Sequence, residues 1–73
     1  MSFGELLKNI RKELNITQEQ IARDIDVSFS TLNRWENSRN TPSRLARRRL
    51  LDYCLEKDIS LDIITALKGE SSI

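Results

Sequence analysis

TQEQIARDIDVSFSTLNRWE, residues 17–36, is the stretch whose reading decides the fold. Two hydroxyl residues, Thr17 and Ser28, each stand just ahead of an apolar periodic run, and each follows an apolar residue, Ile16 or Val27. That is the composition of a helix start. The Thr17 hydroxyl can accept from the backbone N–H of Gln20, and the Gln20 side chain can reach back to the N–H of Thr17, which makes a capping box. Ile16 with Ile21, and Val27 with Leu32, sit at the spacing of hydrophobic staples. Thr31 stands where a second box would carry Glu or Gln, so Ser28 caps through its hydroxyl. Between the two runs, Asp26 tolerates the left-handed conformation that a sharp turn needs. The spacing predicts helices over about 18–25 and 29–37, with Ile21, Ala22, Ile25, Val27, Leu32 and Trp35 turned inward. Ser28, Phe29, Ser30, Asn33 and Arg34 are left facing out. A helix with small polar groups on its outer face fits the major groove of duplex DNA, so these five are the candidate base-contact residues.

The same rules organise the rest of the chain. Ser2-Phe3-Gly4-Glu5 is a further capping box and opens a helix over about 3–14, buried along Leu6, Leu7, Ile10 and Leu14. Asn15 can end it in the left-handed conformation. Pro42 suits a first helical position, with Thr41 as the cap of a fourth helix. Ala46, Leu50, Tyr53 and Cys54 give that helix one apolar face, and Leu51 and Leu55 a second. Ser60 caps a fifth helix to about Lys68, stapled by Ile59 and Ile64 and ended by Gly69. The chain therefore reads as a single all-α domain over 1–69, with a frayed tail over 70–73.

These residues resemble the helix-turn-helix of the phage lambda repressor and Cro class, the Xre family. The resemblance runs from about Leu6 to about Leu51. It is carried by Thr17-Gln18-Glu19, Ala22, Val27-Ser28, Ser30-Thr31, Trp35-Glu36-Asn37 and Pro42-Ser43. It implies five short helices with the third as the reading element. Asn15, Asp26 and Ser38 stand where the family usually has glycine; Asn and Asp bear positive φ mildly, whereas Ser38 is the more strained choice.

The resemblance also implies site residues. The counterpart of Gln18 donates to a DNA phosphate at the start of helix two, beside Thr17, where a helix N-terminus favours an anion. The plainer alternative is a solvated amide. Ser30 and Asn33 project from the first turns of helix three, and Asn can pair in two-point fashion with adenine. Phe29 replaces a Gln that reads a base in relatives; its ring can pack on a thymine methyl group, or else fold back onto helix two or enter a partner interface. Asn37, Arg39, Thr41 and Arg44 lie in the loop that follows the phosphate backbone. Trp35 is core. Arg11 and Glu36 match the two ends of a buried ion pair, whose disruption costs ~3–5 kcal/mol.

Charge agrees once it is divided. The chain carries a net +1. Residues 1–27 hold four basic and five acidic groups; residues 28–50 hold six arginines against Glu36 alone; residues 51–73 hold two lysines and five acids. Phosphate contact depends on that central density and not on the sum. Arg47, Arg48 and Arg49 span about 200° of a helix and cannot all face one DNA strand. One can face DNA while another pairs with an acid of the C-terminal third.

Other classes are excluded or left weak. One cysteine and no histidine rule out a disulfide framework and most zinc patterns, and no cofactor is implied. An enzyme lacks a His, a nucleophile elbow and a phosphate loop. No apolar run approaches the ~20 residues of a membrane span, and no signal peptide is visible, so the cytoplasm is the default location. The expected partner is double-stranded DNA with a near-palindromic operator, bound by a homodimer as a repressor. Its interface would come from the helix five region through Ile59, Leu61, Ile63, Ile64 and Leu67, unless Ile63, Ile64 and Leu67 simply pack on helix four. Two rival functions use the same fold: an antitoxin or restriction-system controller, and a protein–protein adaptor.

Overall fold

The computed structural model describes residues 2–37, 39 and 41–71, of which 69–71 are described as backbone only. Five helices follow one another: α1 (Phe3–Leu14), α2 (Gln18–Asp24), α3 (Phe29–Glu36), α4 (Arg44–Glu56) and α5 (Leu61–Ser71). The all-α expectation therefore holds, with no strand among the described residues. α1 is central: it packs against α3 on one side and α5 on the other, while α2 leans on α3 and α4 on α5.

The connections are built to one pattern. Asn15, Asp26 and Asp58 all have positive φ, at 57°, 61° and 61°. After α1, the N–H of Ile16 bonds the carbonyl of Arg11; after α2, Val27 bonds Ala22; after α4, Ile59 bonds Cys54. These are the long hydrogen bonds of Schellman endings, and they satisfy carbonyls that the helix leaves open. Each left-handed residue is followed by an apolar residue and then a hydroxyl: Asn15-Ile16-Thr17, Asp26-Val27-Ser28 and Asp58-Ile59-Ser60. The apolar residue thus closes one helix and precedes the start of the next. Ser38, the third of the glycine replacements, lies outside the described residues.

Helix starts follow the caps, with two corrections. Ser2, Thr17 and Ser28 accept from the backbone N–H groups of Glu5, Gln20 and Thr31. The return arm expected at Thr17 is absent, because the Gln20 amide donates to Asp24 Oδ1 at 2.9 Å, one turn along the same helix. Helix four begins later than Pro42: Ser43 is its cap, accepting from Ala46 at 3.2 Å, and Pro42 is buried ahead of it. With Ser43 as cap, the proline ring can leave water while the hydroxyl serves the helix. Helix five has no stop at Gly69 and runs on to Ser71. Of the expected tail, Glu70 and Ser71 are therefore helical, and Ser72 and Ile73 lie outside the described residues.

The core joins all five helices: Phe3, Leu6, Leu7 and Ile10; Ile21, Ala22 and Ile25; Leu32 and Trp35; Leu50 and Cys54; then Ile59, Ile63, Ile64 and Leu67. Phe3 meets Trp35 edge-on, with centroids 5.9 Å apart and planes at 81°. A Cβ on Gly4 would lie 2.7 Å from the Glu36 carbonyl oxygen, so glycine is what lets α1 approach the backbone of α3 so closely. Glu13 at the far end of α1 accepts from the backbone N–H of Ser60 at 2.6 Å, which ties α1 to the start of α5. Burial, with Glu13 nearby, pushes the Cys54 thiol up to about 12, so it packs as a neutral group.

Tyr53 donates its hydroxyl to Asp24 Oδ2 at 2.8 Å. Desolvation first, then this hydrogen bond and the charge of Asp24, raise its pKa well above 10.0. A group raised on folding stabilises below its unfolded pKa, and that contribution is lost as pH rises through the folded value. Tyr53 is the single tyrosine of the chain. Phenolate absorbance should therefore report it alone, with a midpoint well above 10 that falls on Asp24→Asn. A native midpoint at 10 would mean that the Tyr53–Asp24 bond does not form.

Candidate nucleic-acid interface

Helix α3 divides its side chains sharply. Leu32, Trp35 and Glu36 are buried, whereas Ser28, Phe29, Ser30, Asn33 and Arg34 are exposed. The Ser28 hydroxyl is largely committed to its own helix, accepting from the Thr31 N–H at 3.1 Å and donating to Thr31 Oγ1 at 2.8 Å. Phe29 is 51% exposed. It borders a shallow groove with Thr17, Gln18 and Glu19. Thr17 is exposed, with its hydroxyl accepting from Gln20. Beyond α3, Asn37, Arg39, Thr41 and Arg44 are all exposed. The N–H of Arg39 bonds the carbonyl of Arg34 at 2.9 Å, which draws the loop back towards the end of α3.

Under that surface lies a charged anchor. Arg11 Nε and Nη2 donate to the two carboxylate oxygens of Glu36, at 2.6 and 2.9 Å. The Glu36 side chain is only 2% exposed and that of Arg11 25%. The hydrogen bond to Glu36 is the main cause that raises the Arg11 pKa, partly offset by burial and supported by the charge of Glu36. Gln18 joins the pair: its Nε2 donates to Glu36 Oε1 at 3.0 Å and points at Asn33 Oδ1 at 3.5 Å. The start of α2, the outer face of α3 and α1 thus meet at one carboxylate. The sequence marks Gln18 only as a surface group, because its inward bond spans 18 residues and no local pattern reports it.

The arginine triplet turns to its own protein. Arg47 lies over the Phe3 ring at 5.9 Å. Arg48 faces Asp52 and Arg49 faces Asp26, each at 3.9 Å. Asp52 belongs to the C-terminal third, as one of the two expected uses of the triplet required. Among the described residues, Arg34, Arg39 and Arg44 are the central arginines that are exposed and form no ion pair with a carboxylate.

Residues 7–53 match the family model described as helix-turn-helix. The chain belongs to that family. Its turn lies between α2 and α3, and the branch is the lambda repressor-like one. This helix-turn-helix domain is 33% identical, over 73 residues, to the HTH-type transcriptional activator BcrR of Enterococcus faecalis. The match covers all of this chain and 33% of that relative, so the chain spans about a third of the relative's length. No solved structure gives a significant match. Among the described residues, no helix is long and apolar enough to cross a membrane.

The helix five surface differs from what a dimer interface there requires. Ile59, Ile63, Ile64 and Leu67 are buried in the core of this single chain, and only Leu61 of the five is exposed, at 77%. The plainer reading, packing of Ile63, Ile64 and Leu67 within the domain, is the one observed. The core needs these residues because α5 supplies the wall that α1 and α4 pack against.

Proposed function

We propose that this helix-turn-helix domain binds duplex DNA sequence-specifically and regulates transcription. The observation that carries the reading is the division of α3, where Phe29, Ser30, Asn33 and Arg34 are open to solvent while Leu32, Trp35 and Glu36 anchor the helix from behind. In this reading α3 enters the major groove. Ser30, Asn33 and Arg34 meet base edges, Phe29 packs on a thymine methyl group, and Ser28 stands at the rim. Thr17 and Gln18 on one side, and Asn37, Arg39, Thr41 and Arg44 on the other, clamp the flanking phosphates. The reading involves no catalysis and no cofactor, and places the protein in the cytoplasm with its DNA. A homodimer on a near-palindrome supplies the length of site that one small domain lacks. Its contact surface then uses Leu61 with the exposed Leu55, rather than the buried residues of helix five.

Occlusion of a promoter makes such a protein a repressor. The relative in Enterococcus faecalis, named an activator, favours the opposite sign as the second reading. The test is selection of bound sequences from a random duplex pool at about 150 mM salt, which suppresses purely electrostatic binding. A two-fold symmetric site is expected, and Asn33→Ala should relax one symmetric pair of positions. A folded protein that enriches no sequence would sink the regulator reading and leave the adaptor in its place.

A further inference from the structure

We infer that Glu36, acting through Gln18, fixes the outward polarity of the Asn33 amide, so that Asn33 offers N–H donors to the groove and selects guanine over adenine. The inference rests on the DNA-binding reading above and specifies what one of its residues recognises.

Glu36 is a buried carboxylate held by Arg11, and an ionised carboxylate only accepts hydrogen bonds. Gln18 lies 3.0 Å from Oε1, so the amide atom facing Glu36 must be the nitrogen. That choice aims a second N–H of Gln18 at Asn33, whose nearest atom must then be its oxygen, at 3.5 Å. The Asn37 amide nitrogen reaches the same oxygen at 3.4 Å. Contacts of this length are individually weak. Reversing Asn33, however, would set its amino group against two others. Two donors fill the two lone pairs of Oδ1, and both hydrogens of Nδ2 are left for the groove.

Two-point pairing with adenine needs Asn to accept from N6 while donating to N7. An oxygen already filled from behind cannot do so. Two outward N–H groups match the O6 and N7 acceptors of guanine instead, with thymine O4 as the weaker alternative. Gln18 is thereby a positioning residue for base choice: its side-chain donors are committed inward, and its backbone N–H at the start of α2 is what it has left for a phosphate.

The test reads base preference at the position relaxed by Asn33→Ala. The wild-type protein should prefer guanine there. Gln18→Met removes the link to Glu36 and one of the two donors to Asn33 Oδ1, and should move that one position towards adenine by about tenfold in relative enrichment, leaving the base preference at the others unchanged. Asn33→Asp, at an exposed site, keeps the inner oxygen and replaces the outer donors with an acceptor. It should switch the position to cytosine, whose N4 donates, or bind the wild-type site more weakly than Asn33→Ala does. This variant keeps the test open if Gln18→Met fails to fold. Adenine as the wild-type preference, a Gln18→Met effect spread evenly over all positions, or no position relaxed by Asn33→Ala would overturn the inference while DNA binding stands. A folded wild-type protein that enriches no site would overturn both.

Discussion

Arg11→Met should destabilise the domain by about 3–5 kcal/mol, the cost of leaving one buried charge without its partner. Glu36 keeps its place through two bonds from Arg11, at 2.6 and 2.9 Å, and one from Gln18, at 3.0 Å. Methionine preserves much of the arginine stem but leaves the carboxylate with a single neutral donor in a site that water barely reaches. A loss of this size takes a large share of the roughly 5–15 kcal/mol that holds a small domain folded. Denaturant unfolding measures it. Arg11→Met combined with Glu36→Leu should recover most of the loss, because the penalty lies in the unpaired charge more than in the missing bonds. The pH dependence has a definite sign. The Arg11 pKa is raised above the ordinary arginine value, chiefly by its hydrogen bond to Glu36, so the contribution from its titration is complete throughout ordinary pH and lost only in strong alkali. A loss under about 1 kcal/mol would mean that Glu36 finds water in place of Arg11.

The same pair shows what could be read from the chain and what could not. Helix starts were readable because a cap is a local device: Ser2, Thr17 and Ser28 each serve an N–H three residues on. At Thr41-Pro42-Ser43 two hydroxyls flank one proline, and the burial of Pro42, a tertiary fact, decides for Ser43. The left-handed Asp58 was also within reach, since Asp58-Ile59-Ser60 repeats the order of Asp26-Val27-Ser28. Gly69 read as a stop, yet glycine only permits an ending, and the helix passes through it. Phe3 looked like part of a cap, and its place in the core depends on Trp35, which is 32 residues away in sequence. For the interface, periodicity separated the outer face of α3 from the inner one. It could not place Gln18 between Glu36 and Asn33, because that meeting exists only once α2 is docked on α3. Nor could it show where the arginine triplet turns, since Phe3 and Asp26 come from other parts of the chain.

That last difference sets the second large effect. Arg39→Ala with Arg44→Ala should lower affinity for the selected site about thirtyfold at 0.15 M salt and reduce the salt slope by about 1.8, since each phosphate contact contributes about 0.9. Both side chains are exposed and flank α3, Arg39 in the loop behind it and Arg44 at the first position of α4. Arg48→Ala with Arg49→Ala removes the same formal charge from within α4. Those two guanidinium groups face Asp52 and Asp26, so their fields are partly cancelled. Their loss should change the slope by much less. The two double variants therefore separate contact from mere net charge, which a single neutralisation cannot do. Base preference should survive in both, because phosphates carry no sequence information directly. Equal slope changes in the two variants would mean that DNA runs along α4 as well, and that the arginine triplet leaves its acidic neighbours when DNA binds.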